Sequence, residues 1–203
     1  MPDLSYENQA RENGYRYVCG IDEAGRGPLA GPVCAAAVIL PEGCVIEGLD
    51  DSKKLTEKKR EALFPVILEK AVAYSICYGS VEDIETKNIL ATTMDTMAEA
   101  FNTLPVKSDF ALIDGNCKPK GIKDCITIVK GDAKSLSVAA ASILAKVSRD
   151  HIMLDMAKKY PEYSFEAHKG YGTKVHIEAI KKYGPCEIHR LSFLKGILNE
   201  QNN

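Results

Sequence analysis

Tyr15-Arg-Tyr-Val-Cys-Gly-Ile-Asp-Glu-Ala-Gly-Arg-Gly27, with the run Val33-Cys-Ala-Ala-Ala-Val-Ile-Leu40 that follows it, is the stretch whose reading decides the fold. Tyr15, Tyr17, Cys19 and Ile21 alternate with other residues, the period of a strand, and predict one that ends at Asp22. Residues 24–27 supply a glycine-rich turn, and residues 33–40 are apolar enough for a second strand. Pro41-Glu-Gly43 marks the next turn. A third strand-like run covers residues 72–81, so the order of strand, turn, strand, connection and strand predicts an antiparallel meander.

Outward from the meander the pattern turns helical. Thr56 is placed to cap a helix that starts at Glu57 and is disturbed at Pro65. From Val81, the residues Ile84, Ile89, Met94, Met97 and Phe101 give one apolar face to about Thr103. Two short buried-strand candidates follow, residues 110–113 and 126–129. Residues 135–160 are alanine-rich, the composition of a long helix packed tightly against a sheet, and stop before Pro161. Thr173 caps a further helix closed by Gly184-Pro185. Three antiparallel strands followed by helix-linked strands imply an α/β layered fold with a mixed sheet.

The chain of 203 residues fits one domain, with a core over about 15–160 and a helical C-terminal portion over about 161–203. Residues 1–16 are polar, lack a secretory signal pattern and read as a frayed lead-in. No apolar run reaches the roughly 18 residues that span a bilayer, so no membrane association is expected. The seven cysteines are odd in number, scattered and free of C-x-x-C pairs, which argues against a zinc site and for a reducing cytoplasm. Size alone suggests a monomer. A net charge of −2 does not announce a nucleic-acid binder. Basic residues cluster locally instead, at Lys53-Lys54, at Lys58-Lys-Arg60 and within 118–123 and 130–134. An acidic centre ringed by such clusters could hold phosphates while the total stays near zero.

The acidic residues carry the sharpest signal. Asp22-Glu23 follows the first strand, Asp114 the fourth and Asp132 the fifth. Carboxylates at strand ends can converge above one edge of a sheet, where mutual repulsion raises their pKa values until cations neutralise them. Hard oxygen ligands suit Mg²⁺ or Mn²⁺, and two such ions about 4 Å apart are what phosphodiester hydrolysis needs. Each acid also has a plainer reading: Asp22 or Glu23 alone as a turn residue, Asp114 as a turn residue, Asp132 as a helix cap. Asp124 and Asp150 compete for the fourth place, but Asp124 precedes its strand and Asp150 lies more than four helical turns beyond Asp132. Asp132 is preferred. Gly25-Arg26-Gly27 permits close backbone approach by a ligand, yet lacks the lysine-serine pair of a nucleotide-binding loop.

Gly20-Ile-Asp-Glu-Ala-Gly-Arg-Gly-Pro28 resembles the signature of the type 2 ribonuclease H family. Asp51-Ser-Lys-Lys-Leu55, Ile113-Asp-Gly-Asn116, Val129-Lys-Gly-Asp132, the stretch Ala139-Ala-Ala-Ser-Ile-Leu-Ala-Lys-Val-Ser-Arg-Asp150, His168-Lys-Gly-Tyr-Gly172 and His189-Arg-Leu-Ser-Phe193 continue the likeness in order along the chain. The resemblance implies a ribonuclease H fold with a five-stranded mixed sheet flanked by helices and a small helical C-terminal portion. It implies catalytic and metal-binding roles for Asp22, Glu23, Asp114 and Asp132 with Mg²⁺ or Mn²⁺. The implied reaction is endonucleolytic hydrolysis of RNA paired with DNA, and cleavage 5′ of single ribonucleotides in duplex DNA, leaving a 3′-hydroxyl and a 5′-phosphate. By similarity, Gly25, Arg26, Gly27 and Tyr171 would recognise the 2′-hydroxyl at the RNA–DNA junction. Lys53, Lys54, Lys134, Ser135, Arg190 and Ser192 would hold phosphates, and His168 would either assist a proton or bond within the fold. Only about 16 residues precede the first strand, short of the extra N-terminal domain of type 3 relatives. The clamp-binding tail of some members finds no apolar hook in Gln201-Asn-Asn203. Two rivals remain open on the residues alone, a DNA-junction resolvase on the same scaffold and a catalytically silent hybrid-binding module.

Overall fold

Strands β1 (Val18–Ala24) and β2 (Val33–Ile39) pair antiparallel in the computed structural model, which describes residues 1–199. The tail Gln201-Asn-Asn203 lies outside the described residues. β3 (Ala73–Gly79) continues the meander on the far side of β2, and β4 (Phe110–Asp114) and β5 (Cys125–Ile128) add in parallel beyond β1. The resulting sheet has the order β3-β2-β1-β4-β5. This is the expected mixed, five-stranded sheet.

Why β2 reads as an unbroken apolar run is visible in its two faces. Cys34, Ala36 and Val38 pack with Ala139, Ala140, Ile143 and Leu144 on one side. Ala35, Ala37 and Ile39 pack with Met97, Ala100 and Leu104 on the other. Helix α5 (Leu136–Lys159) covers the first face and α4 (Ile89–Asn102) the second, so the strand has no wet side and no need of polar alternation. β1 is buried from Val18 to Asp22 and partly buried at Glu23 and Ala24. Its strand starts later and ends later than the alternation of Tyr15 and Tyr17 suggests, because the pairing registers run from Val18 to Ala24.

Four other expectations are corrected. Residues 1–16 are not frayed, since α1 (Ser5–Glu12) packs on the sheet and buries Glu7 and Ala10. The helix from Glu57 runs through Pro65 to Lys70 as α2 (Glu57–Lys70). A proline inside a helix costs about 3 kcal/mol, but buried Leu63 and Ile67 contribute about 1.5–3 kcal/mol each, and Pro65 faces solvent. The helical run after Val81 is two helices, α3 (Val81–Lys87) and α4, broken at Asn88. Asn88 sits at φ 82°, a value few side chains tolerate, and its side chain caps α4 by accepting from Ala91 N–H. Finally, β5 is an edge strand rather than a buried one, with Ile126 and Val129 exposed.

Helices α6 (Phe165–His168), α7 (Lys174–Tyr183) and α8 (Leu191–Asn199) form the expected C-terminal portion around Tyr163, Phe165, Ile180 and Leu194. Thr173 and Ser135 cap α7 and α5 through their side chains. No described helix is long and apolar enough to cross a membrane.

The tightest approach in the sheet is at Gly20. A Cβ there would lie 2.2 Å from both Ser137 C and Val138 N, backbone atoms that open α5. Gly20→Ala is therefore expected to destabilise the protein by at least the about 1–3 kcal/mol of ordinary overpacking, read as a lowered Tm in thermal denaturation. An unchanged Tm would show that α5 does not bear on β1 at this point.

Candidate metal centre

Parallel strands end at the same edge of a sheet, and that simple fact gathers the acids. Ile21 of β1 pairs with Ile113 of β4, so Asp22 and Asp114 leave adjacent strands side by side. Asp114 in turn pairs with Ile128 near the end of β5, and Asp132 follows on a single 3-10 turn over Gly131–Ala133. One carboxylate oxygen each from Asp22, Glu23 and Asp114 lie within 4.8 Å of one another. Asp132 is buried beside this trio rather than within it, with its Oδ2 3.2 Å from Lys53 Nζ. Asp124 stands at the start of β5, away from this edge, and Asp150 is buried on α5 and held by Lys146 Nζ at 2.7 Å.

The electrostatics are those of a cluster that its basic neighbours neutralise only in part. Burial, then the charges of Glu23 and Asp114, push the Asp22 carboxyl well above its ordinary 3.8. Burial also raises Glu23, against the pull of Arg26, whose Nη1 lies 3.2 Å from Glu23 Oε1. Asp132 is raised by burial and lowered in part by Lys53. Few partners offset the repulsion. Asp22 accepts from Glu23 N–H at 2.7 Å and Asp114 from Gly131 N–H at 2.6 Å. The donor set is all hard oxygen, so it fits a divalent cation of the Mg²⁺ or Mn²⁺ class.

The trio lines a cleft of about 240 Å³ together with Gly25, Arg26, Gly27, Ser52, Lys53, Arg60, Ser142, Lys146 and Tyr171. Arg26, Lys53, Arg60 and Lys146 thus face Asp22, Glu23 and Asp114, which explains how a chain of slight net negative charge presents a balanced cleft. Tyr171 is 43% exposed, with its ring 3.8 Å from where a Cβ on Gly27 would sit. Lys146 Nζ lies 5.8 Å from the centre of that ring. Ser142 and Lys146 are cleft residues that sequence reasoning missed, whereas Arg60 comes from the basic cluster expected to ring the acids. The available signal was the interruption of an alanine-rich helix by Ser142 and Lys146, one turn apart on one face.

Other expected contacts are placed elsewhere. Ser135 is fully buried and donates to Glu7 Oε1 at 2.6 Å, so it does not face a phosphate. Arg190 is also fully buried; it donates through Nε to Gly31 O at 2.9 Å and through its two other nitrogens to Arg26 O at 3.0 Å and Gly25 O at 2.6 Å. Its charge is spent on holding the turn and not on a phosphate. Arg149 holds the continuation of the same loop, donating to Ala30 O and Pro32 O, and also to Lys169 O, each at 2.9 Å. Ser192 donates its hydroxyl and N–H to Glu85. Lys54 pairs with Asp50, and Lys134 is exposed outside the cleft.

His168 bonds within the fold: Nε2 donates to Tyr163 O at 2.8 Å and Nδ1 accepts from Gly170 N–H. His176 Nδ1 must donate to Tyr171 O, since a carbonyl only accepts, and His189 Nδ1 accepts from Cys186 N–H. The contact of 3.0 Å between their Nε2 atoms is then a donation from His189 to His176. Burial depresses both to about 4, which keeps this chain of bonds neutral and Tyr171 anchored.

A family model for ribonuclease HII matches residues 19–195. The chain belongs to the ribonuclease HII family. Its match to the ribonuclease HII of Caldicellulosiruptor bescii is 53% identical over 95% of this chain and 94% of the relative. That of Acetivibrio thermocellus is 56% identical over 95% of this chain and 75% of the relative. The fold is similar to that of the ribonuclease H2 from Pyrococcus horikoshii OT3, with a TM-score of 0.76 at 28% identity, covering 93% of this chain and 100% of that one. Members of this family are metal-dependent endoribonucleases, and the carboxylate cluster is where this member would hold the ion.

The raised carboxyls give a pH signature. Because the folded state binds the Asp22 and Glu23 protons more tightly than the unfolded chain does, metal-free protein loses stability as pH rises from the unfolded values near 3.8 and 4.5 through the raised folded ones. Asp22→Asn removes one of these charges. Metal-free wild type is therefore expected to melt below Asp22→Asn at neutral pH, with the gap closing by about pH 4. Adding Mg²⁺ or Mn²⁺ is expected to raise the wild-type Tm far more at neutral than at acid pH. Thermal melts of both proteins across this range, with and without the ion, check both expectations.

Proposed function

We propose that this protein hydrolyses the RNA strand of RNA–DNA hybrids and cuts on the 5′ side of single ribonucleotides in duplex DNA, leaving a 3′-hydroxyl and a 5′-phosphate. The observation that carries the proposal is the sharing of one cleft by the carboxylate trio, the Gly25-Arg26-Gly27 turn and Tyr171. Asp22, Glu23 and Asp114 are the proposed metal ligands, with Asp132 as the fourth carboxylate on the Lys53 side. Mg²⁺ or Mn²⁺, when bound, supplies the charge neutralisation and water activation that phosphodiester hydrolysis requires.

The remaining residues orient the substrate. The turn over residues 25–27 presents backbone that buried Arg190 holds through Gly25 O and Arg26 O, with Arg149 passing beside Gly25, suited to reading a 2′-hydroxyl, which alone both donates and accepts and distinguishes RNA from DNA. The exposed Tyr171 ring, across from Gly27, would stack on the adjoining deoxyribose and crowd out a further 2′-hydroxyl. Lys53, Arg60 and Lys146 would meet phosphates. Catalysis then rests on positioning and charge stabilisation.

DNA carrying one ribonucleotide, incubated with and without Mg²⁺, is the deciding substrate. Ion-dependent cleavage on its 5′ side is expected; ion-dependent cleavage of an all-DNA junction without ribonucleotide preference would make the protein a junction resolvase. Asp114→Asn is expected to reduce cleavage by at least about 100-fold while hybrid binding, measured by anisotropy, persists. Full activity in that variant would remove Asp114 from the ligand set. Tyr171→Ala is expected to lose cleavage at single embedded ribonucleotides by about tenfold more than on long RNA stretches, and equal losses on the two substrates would exclude it from junction reading.

A further inference from the structure

The buried carboxyl group of Glu7 is a feature that the catalytic reading does not use. It comes from α1, far away in sequence, and has no exposure at all. Its Oε1 accepts from Ser135 Oγ at 2.6 Å, Ser137 N–H at 2.8 Å and Ser137 Oγ at 2.6 Å. Its other oxygen is buried without a hydrogen-bond partner among the described residues. The group therefore sits at the N-terminus of the 24-residue helix α5, where a negative end is favoured. Four residues earlier, Asp3 clamps the same segment through its backbone, donating to Lys134 O and accepting from Leu136 N–H.

The clamped segment is the one that builds one side of the carboxylate cluster. Ser135 N–H donates to Gly131 O at 2.8 Å, and Gly131 N–H donates to Asp114 Oδ1 at 2.6 Å. Asp132 is the next residue. Lys130, just before, holds a left-handed conformation at φ 57° without being glycine, a strained state that persists only where the surroundings impose it. A relay thus runs from Glu7 through Ser135 and the Gly131 peptide to Asp114, with Asp132 carried on the same turn.

We propose that Glu7 is a positioning residue for the metal centre: α1 braces the 130–137 segment so that Asp132 and the amide that orients Asp114 face the cation. The proposal rests on the reading of Asp114 and Asp132 as ligands. Groups that orient metal ligands from behind typically change affinity by about 10- to 100-fold when removed.

The test is Mn²⁺ binding, read by electron paramagnetic resonance on the full-length, chelator-stripped protein without substrate. Glu7→Ala is expected to weaken Mn²⁺ binding by about tenfold or more, and Glu7→Gln, which keeps an oxygen for Ser135 and Ser137, is expected to recover part of that loss. If Glu7→Ala fails to fold by near-ultraviolet circular dichroism, Glu7→Gln alone carries the measurement. Leu63→Ala, a core truncation in α2, controls for general destabilisation and is expected to bind Mn²⁺ as the wild type does. Wild-type affinity in both Glu7 variants would overturn the proposal, as would an equal loss in Leu63→Ala. Asp132→Asn supplies the remaining arm. Wild-type Mn²⁺ affinity in that variant would remove Asp132 from the ligand set and the proposal with it, an outcome distinct from failure of Glu7 alone.

Discussion

Two buried guanidinium groups hold the loop from Gly25 to Pro32 that joins β1 to β2, and the geometry of the cleft depends on that exchange. A guanidinium removed from water is costly unless each N–H finds an acceptor, and backbone carbonyls buried in a loop are costly unless each finds a donor. Arg149 from α5 and Arg190 from the approach to α8 answer both needs, ending on carbonyls of Gly25, Arg26, Ala30, Gly31 and Pro32. Hydrogen bonds to charged donors are worth about 1.5–3 kcal/mol each, so the turn has little freedom to relax. Gly25 has φ 97°, and a Cβ there would fall 2.1 Å from Arg149 Nε. The glycine is required both by its conformation and by the arginine that passes beside it.

That turn fixes where substrate-facing groups stand relative to the acids. β1 carries Asp22 and Glu23 just before its last residue, Ala24, and runs directly into residues 25–27, so the carboxylates and the turn share one rigid support. Tyr171 reaches the same place from the C-terminal portion, held by His176 on its carbonyl and by the Arg149 bond to Lys169 O. Core and C-terminal portion are therefore joined at the cleft itself. The repulsion among Asp22, Glu23 and Asp114 is tolerated because this support leaves them no way to spread apart, and a divalent cation turns the repulsion into binding.

Much of this was legible in the chain. The two-faced burial of β2 shows as an unbroken apolar run, and the tight packing of α5 shows as Ala139-Ala-Ala141. The acids could be found because strand ends are marked by the loss of apolar residues, and parallel strands must bring their ends together. Pro65 and Asn88 misled in opposite directions. Proline looked like a break, yet Leu63 and Ile67 outweigh it, whereas Asn88 interrupts a helical pattern that apolar spacing alone cannot see broken.

By itself, the sequence determined the mixed sheet, the helices that cover it and the four carboxylates at its edge, because periodicity and strand termini are local properties. Which charges face outward was decided by the tertiary structure. Arg190 and Ser135 carry the chemistry of phosphate contacts but are buried against carbonyls and against Glu7, while Lys146, embedded in an apolar helix, opens onto the cleft. Glu7 lies in a segment with no apolar period to announce it and gains its place only when α5 begins beside it. Burial of a polar group depends on partners distant in the chain, and no local pattern encodes them.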